Sequence, residues 1–344
     1  MTGKSQSRVT IRDVAARAGV SSSLVSRALN NHPKSTASAG TRERILAAAR
    51  QLDYQPNLIA RGLRTARTHT IALLLPNLNN PALVRVANGA SRRAKEKGYD
   101  IIFGTPPEGD VEDALSILLR QGRVDGLLVA SARSKDSRLR RLADISTRPV
   151  VLINRRIEGA LASVTVEDEA GAALAAQYLL DLGHQKFGAI QGPEDVDTAR
   201  RRRSGFEQQL AKAGLVPVTA VCESWEGVEA ITLTRNMFRQ HPEITAVFAS
   251  TFHMAVGALR GMREATIRVP EDVSVIAMHD NPSTSLLTPS LTAVEFAVEK
   301  MGEEAVNLLL QMIDGAPPRT VIVNDSPVIV PRESTSQPFH LFSG

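Results

Sequence analysis

Cysteine is nearly absent from this 344-residue chain: Cys222 stands alone, so no disulfide framework exists and a thiolate metal site is not expected. Long apolar runs are missing as well. The longest, such as residues 71–75, fall far short of the roughly 20 residues that cross a bilayer. No charged start followed by an apolar stretch marks the N-terminus, so no secretory signal is expected. The chain shows no Gly-rich phosphate loop, no histidine pair at metal-ligand spacing, no Gly-x-Ser-x-Gly elbow and no internal repeat. Its seven histidines are scattered, and His184, within Leu182-Gly183-His184-Gln185-Lys186, reads as a turn residue rather than a catalyst. These gaps point away from secreted, membrane-spanning and recognisable enzyme classes. A cytoplasmic protein without cofactor or metal is the expectation.

What is present is unevenly distributed. The net charge of +5 hides a basic head: residues 1–70 carry 12 Lys or Arg against Asp13, Glu43 and Asp53, while the remainder carries 29 basic and 33 acidic residues. A head at +9 on a body at −4 suggests that the head meets a polyanion. The length calls for more than one domain, and 43% hydrophobic residues supply enough material for a core.

Within the head, Ile11, Val14, Ala15 and Ala18 recur on one helical face, and Thr10 with Asp13 forms a capping-box start. Gly19 breaks that helix, since glycine takes a left-handed terminal position without steric cost. Ser21 is placed to cap a second helix, whose Leu24, Val25, Ala28 and Leu29 face inward while Ser22, Ser23, Ser26 and Arg27 face out. Two short helices about a glycine turn make a helix-turn-helix that fits a major groove, although an ordinary helical hairpin has the same pattern. A third helix over 41–53 is expected to close a three-helix core through Ile45, Leu46, Ala49 and Leu52, with Pro56 ending the unit. Residues 57–65, flanked by Arg61, Arg64 and Arg67, read as a hinge.

From Thr70 the pattern changes to strands alternating with helices. Strands are expected over 71–75, 100–103, 126–130, 150–153, 187–190, 246–249 and 273–278; helices over 82–97, 111–121, 170–182, 199–213, 228–240 and 254–264. This alternation predicts an α/β body of doubly wound parallel sheets. About 270 residues exceed one such sheet, so two lobes with a cleft at the carboxyl ends of the strands are expected. The division predicted is a disordered stretch 1–8, a helix-turn-helix domain 9–56, a hinge 57–68 and a body 69–332. Its first lobe takes 69–166 and 298–324, its second 167–297 and 325–332, and 333–344 form a loose tail.

The head resembles the DNA-binding domain of the lactose-repressor (LacI/GalR) family of bacterial transcription regulators. The likeness lies in Thr10-Ile11-x-Asp13-Val14-Ala15-x-x-Ala18-Gly19-Val20-Ser21 and in Val25-Ser26-Arg27-x-Leu29-Asn30. It extends through Thr41-Arg42 to Leu52-x-Tyr54-x-Pro56-Asn57-x-x-Ala60-Arg61-x-Leu63. The body agrees at Pro76-Asn77-x-Asn79-Asn80-Pro81, Asp125-Gly126-Leu127, Pro149-Val150-Val151, Leu182-Gly183-His184, Ala199-x-x-x-x-x-Gly205-Phe206 and Leu287-Thr288-Pro289-x-Leu291-Thr292. The resemblance implies a body with two lobes like the periplasmic sugar-binding proteins and a homodimer bound to palindromic operator DNA. It also implies a repressor whose affinity for that DNA is set by a small effector between the lobes, a sugar, sugar derivative or nucleoside-like molecule, with release from DNA the commoner family mode.

By resemblance, Ser22, Ser23 and Arg27 meet base edges, while Ser21, Ser26, Arg42, Tyr54 and Asn57 contact phosphates and groove edges. Thr10 and Ala60 complete the DNA-binding set, and a cap is the other reading of Ser21. Leu63 takes the place of the family's minor-groove wedge. Gly62 before it costs a helix roughly 0.8–1 kcal/mol relative to alanine, so the hinge is expected to order only on DNA. The effector set implied is Asn80, Asn154, Arg202, Trp225, Thr251, Phe252 and His279. Here His279 stands where relatives often carry an aspartate, Thr251-Phe252 replace a usual Asn-Asp pair, and Ala82-Leu83 replace a frequent aromatic pair. Such a pocket is less acidic and more aromatic than one for a free sugar, and suits an anionic group at Arg202 or a planar ring between Trp225 and Phe252. Core packing around a degenerate pocket is the competing reading. Only one or two of Arg200, Arg201, Arg202 and Arg203 can turn toward the cleft. No leucine heptads join dimers into a tetramer. A solute-binding protein would share the body but lack the basic head, and an enzyme would need clustered acid, base or nucleophile, which the sequence does not offer.

Overall fold

The computed structural model describes residues 9–29, 37–54, 67–105, 122–130, 146, 148–157 and 162–338. The chain divides into two compact units, Met1–Thr68 and His69–Gly344.

In the first unit, helices α1 (Ile11–Ala18), α2 (Ser22–Leu29) and α3 (Ala39–Gln51) enclose Val14, Ala15, Ala18, Val25, Ala28, Ile45, Ala48 and Ala49. Thr10 and Asp13 close the expected box, with the Thr10 amide and hydroxyl both donating to Asp13 Oδ2 at 2.8 Å. Gly19 ends α1 at φ 65°, letting the Val20 amide reach back to Ala15 O at 3.1 Å. The third helix starts two residues earlier than expected, because Ser38 caps it by accepting from the Thr41 amide. Leu46 departs from expectation: it is exposed, and Ala48 takes the inward place. Three short helices pack closely enough that methyl groups fill the seam.

Among the described residues, the second unit forms two six-stranded sheets. The first runs β11-β5-β4-β3-β1-β2, built from β1 (Thr70–Leu74), β2 (Asp100–Gly104), β3 (Gly126–Val129), β4 (Val150–Ile153), β5 (Ala162–Thr165) and β11 (Thr320–Ile322). The second runs β12-β10-β9-β8-β6-β7, built from β6 (Phe187–Gln191), β7 (Val218–Val221), β8 (Ala246–Ala249), β9 (Ser274–Met278), β10 (Thr292–Glu295) and β12 (Val328–Val330). Strand pairs are parallel except β10 with β12, so the expectation of wholly parallel sheets is corrected at that edge. The chain crosses between sheets after β5, after β10 and between β11 and β12.

Helices α4 (Pro81–Glu96), α5 (Asp168–Asp181), α6 (Asp197–Lys212), α7 (Val228–Gln240), α8 (Phe252–Glu264) and α9 (Val298–Ile313) cover the sheets. They pack in pairs on glycines. A Cβ at Gly89 of α4 would lie 2.0 Å from Glu299 O of α9, one at Gly205 of α6 2.0 Å from Glu169 O of α5, and one at Gly257 of α8 2.1 Å from Gly227 O before α7. The expected helix over 111–121 lies outside the described residues.

Residues 333–338, the described part of the expected loose tail, also depart from expectation. Arg332 grips the Asp280 carboxylate through both Nη atoms at 2.8 Å, and buried Ser334 donates to Val275 O at 2.6 Å. His184 holds the next turn: its Nε2 lies 3.0 Å from Ser336 O and 3.1 Å from Ser274 Oγ, with Nδ1 2.9 Å from Thr245 Oγ1. Burial pushes its pKa down, so this histidine is a neutral clasp for residues 334–336.

Candidate nucleic-acid interface and interlobe cleft

The outward face of α2 carries the residues expected there. Ser23 is exposed, and Ser22, Ser26 and Arg27 are half-buried. Ser21 accepts from the Leu24 amide at 3.3 Å and lies 3.0 Å from Ser23 Oγ, so it does cap α2. Arg27 Nε donates to Ser23 O at 3.3 Å, which lays the side chain along the helix. Arg42 is exposed on α3, and Tyr54 packs partly buried against the head core. Asn57, Ala60 and Leu63, with the hinge they belong to, lie outside the described residues.

In the second unit, the carboxyl ends of strands from both sheets meet at one narrow cavity of about 50 Å³. All seven expected effector residues line it: Asn80, Asn154, Arg202, Trp225, Thr251, Phe252 and His279. Two of them also serve helices, since Asn80 caps α4 by accepting from the Ala82 amide at 3.0 Å and Thr251 caps α8 by accepting from Met254. Asn154 (φ 53°) and His279 (φ 67°) follow β4 and β9 in the left-handed region. Backbone held there costs energy and clusters at functional sites; here it turns both side chains into the cleft.

Arg202 is the centre of the cavity's polar network. It is 3% exposed; Nε donates to Asp168 Oδ1 at 2.7 Å, Nη1 to Ser250 O at 2.7 Å, and Nη2 to His279 Nε2 at 2.5 Å. Its Cζ lies 6.0 Å from the Trp225 ring, which itself packs on Gly192. Of its neighbours, Arg201 turns behind it to Asp168 Oδ2 at 2.5 Å and Asp197 Oδ2 at 3.0 Å, and Arg203 turns outward to Glu194 and Glu207. Arg202 alone of this run of arginines lines the cavity, as helical geometry requires.

Because Nε2 accepts from Arg202, the proton of His279 sits on Nδ1. Burial, then the adjacent guanidinium, pushes its pKa down to about 3, so the ring is neutral at physiological pH. The unfolded chain takes up that proton near pH 6.5 and the folded one does not, so stability falls as pH drops below 6.5. In His279→Gln, urea unfolding between pH 6.5 and 5 is expected to lose this slope, up to about 1.4 kcal/mol per pH unit. An unchanged slope would show that the ring is not the group titrating.

Four residues of the network lie outside the set expected from sequence: Arg155, Asp168, Thr198 and Asn281. Arg155 directly follows Asn154 and Asn281 stands two places after His279, so adjacency was the available signal. Asp168 and Thr198 open α5 and α6 and meet the cleft only through tertiary packing. Among the described residues, no group of His, Cys, Asp and Glu is gathered as a metal site.

Comparison with known proteins agrees with both units. Residues 10–57 match the model for bacterial regulatory proteins of the lacI family, and residues 176–335 match a periplasmic binding protein-like domain. The HTH-type transcriptional repressor PurR of Erwinia tasmaniensis is 32% identical over 336 residues, 95% of this chain and 97% of that one. The ribose operon repressor of Bacillus subtilis is 33% identical over 312 residues, 90% of this chain and 93% of that one. Among solved structures, the lac repressor dimer bound to operator and the anti-inducer ONPF superposes with TM-score 0.83 at 27% identity, covering 96% of this chain and 99% of that one. The transcriptional regulator CelR–cellobiose complex gives 0.73 at 28%, covering 95% and 100%. With a relative above 30% identity along nearly the whole chain, a lacI-type head and a periplasmic-binding body in the same order, this protein belongs to the LacI family of bacterial regulatory proteins.

Proposed function

We propose that this protein is a sequence-specific transcriptional repressor that binds a palindromic operator as a homodimer and changes its DNA affinity when a small effector enters the interlobe cleft. The observation that carries the reading is the full-length similarity to PurR, joined to a head whose α2 presents Ser22, Ser23 and Arg27. In this reading these three meet base edges. Thr10, Ser21, Ser26, Arg42, Tyr54, Asn57 and Ala60 fix register on the backbone, and Leu63 wedges at the dyad. A single three-helix head offers too small an interface for tight specific binding, which favours the dimer. Effector binding favours one arrangement of the lobes, and one arrangement spaces the two heads to match the operator. In this reading the protein performs no catalysis and works in the cytoplasm on nucleoid DNA.

Selection of bound sequences from random duplexes with the purified protein tests this reading. A near-palindrome with a flexible pyrimidine–purine step at its centre is expected, with affinity falling steeply as salt rises. Enrichment of no palindrome would defeat the dimeric operator. Binding of solutes with no salt-dependent DNA affinity would leave a solute-binding protein instead.

A further inference from the structure

The cleft holds more positive charge than it neutralises. Asp168 and Asp197 are the carboxylates its arginines engage among the described residues, and both are taken by Arg201 and Arg202. Among the described residues, Arg155, 9% exposed, hydrogen-bonds to neutral oxygens: Nη1 donates to Asn154 O at 2.7 Å and to Thr198 Oγ1 at 2.5 Å, Nε has no partner, and the carboxylates of Asp168 and Asp197 act on it without a hydrogen bond. Arg156 beside it likewise finds a neutral acceptor, Thr165 Oγ1, at 3.0 Å. A buried guanidinium that shares its carboxylates with two other arginines and bonds none of them is costly. Burial, then the neighbouring Arg202, brings the Arg155 pKa down to about 10, which still leaves it charged at neutral pH.

Among the described residues, two further donors in the same cavity have nothing to donate to. His279 Nδ1 carries the ring proton and is buried without a partner. Asn281 accepts from the Ser283 amide through Oδ1 at 2.9 Å, which fixes the orientation of its amide and leaves Nδ2 buried and unpartnered. Against one idle acceptor, Asn154 Oδ1, the cavity presents a surplus cation and two idle N–H donors. The complementary ligand is an acceptor bearing negative charge.

We propose that the effector of this protein is an anion, whose carboxylate or phosphate oxygens sit against Arg155 and receive hydrogen bonds from His279 Nδ1 and Asn281 Nδ2. The inference rests on the cleft being the effector site proposed above, and it moves the anion contact from Arg202, which Asp168 already neutralises, to Arg155. The remainder of the ligand lies against Trp225 and the amide of Asn154. The cavity of about 50 Å³ has room for an oxyanion group.

Trp225 is the only tryptophan of the chain and lines the cavity, so its emission reports occupancy directly. The full-length protein is titrated with matched triples of a neutral aldose, its aldonate and its terminal phosphate, together with acetate and inorganic phosphate. A saturable change is expected from the bare oxyanions in the millimolar range and from at least one decorated anion below it, with the aldoses silent. Whether the aldonate or the phosphate is the tighter tells which oxyanion the site takes. Arg155→Gln is expected to weaken the best anion about 10- to 100-fold. It should also leave the unliganded protein at least as heat-stable, because an unpaired charge leaves the interior. Asn281→Asp, which turns an idle donor into a like charge, should weaken the anion similarly.

Aldoses binding as well as their anions, no response to any anion, or unchanged affinity in both variants would overturn the proposal. If a neutral aldose moves both Trp225 emission and operator affinity, the effector site stands and the anion falls. If ligands alter operator affinity while Trp225 is unmoved, the cleft itself is misassigned.

Discussion

Asp168→Asn is expected to lower the unfolding free energy of the two-lobed unit by about 3–5 kcal/mol at pH 7, the usual result of removing one partner from a buried ion network. The carboxylate is fully buried and shared: Arg201 Nη1 reaches one oxygen at 2.5 Å and Arg202 Nε the other at 2.7 Å. Burial on its own would raise the pKa of this acid. Arg202 and Arg201 outweigh it and hold the group at about 2. A depressed carboxyl pKa contributes stability above the unfolded value near 3.8, lost as pH falls through the folded one. The parent should therefore lose about 2 kcal/mol between pH 4 and 2 that the variant has already lost. Urea unfolding at pH 7 and through that range measures both. A change below about 1 kcal/mol at pH 7 would mean that the arginines find other counter-charges and that Asp168 is not the anchor of the cleft.

The same residue shows why part of the site is not legible in the sequence. Thr10 with Asp13, Gly19 and Ser21 act within four positions of themselves, so the local pattern is enough to place the head's helices and their caps. Asn154, Arg202 and His279 are reached through resemblance and stand at strand or helix ends where a cleft must lie. Asp168 meets Arg202 34 positions away, and Arg155 meets Thr198 43 positions away. No period or spacing encodes such meetings, and the charge surplus they create is invisible until the partners are found in space.

Packing overrides the pattern in two further places, each for a definite reason. Apolar periodicity favours the larger side chain and so predicts Leu46 inside, but a seam between short helices takes Ala48. The polar run Ser334-Thr335-Ser336 reads as loose, yet its hydroxyls and amides bond Val275 O, Thr292 and Ser274 and stitch the tail to the second sheet. Short strands give the weakest signal. β11 and β12 have three residues each and lie at sheet edges, half-exposed, so neither alternation nor a buried run marks them.

Arg27→Ala is expected to weaken operator binding by about 2–6 kcal/mol, or about 30- to 20,000-fold, while leaving the head folded. The size of the effect follows from symmetry, because a dimer gives up the interaction twice and one bidentate arginine–guanine pair supplies roughly 1–3 kcal/mol of discrimination. Alanine is the best helix former, and the hydrogen bond of Arg27 within α2 is a local one to Ser23 O, so little stability is at stake. The signature separates base reading from mere charge. Arg27→Ala should relax the preference at one base pair in each half-site with the salt slope nearly unchanged, whereas Arg42→Ala should weaken all duplexes alike and reduce the slope by about one for each phosphate it no longer neutralises. Binding measured on the selected operator and on a duplex altered at that pair, across a salt series, decides it. If Arg27→Ala lowers affinity equally for both duplexes, α2 rests on the backbone and the face that reads sequence lies elsewhere in the head.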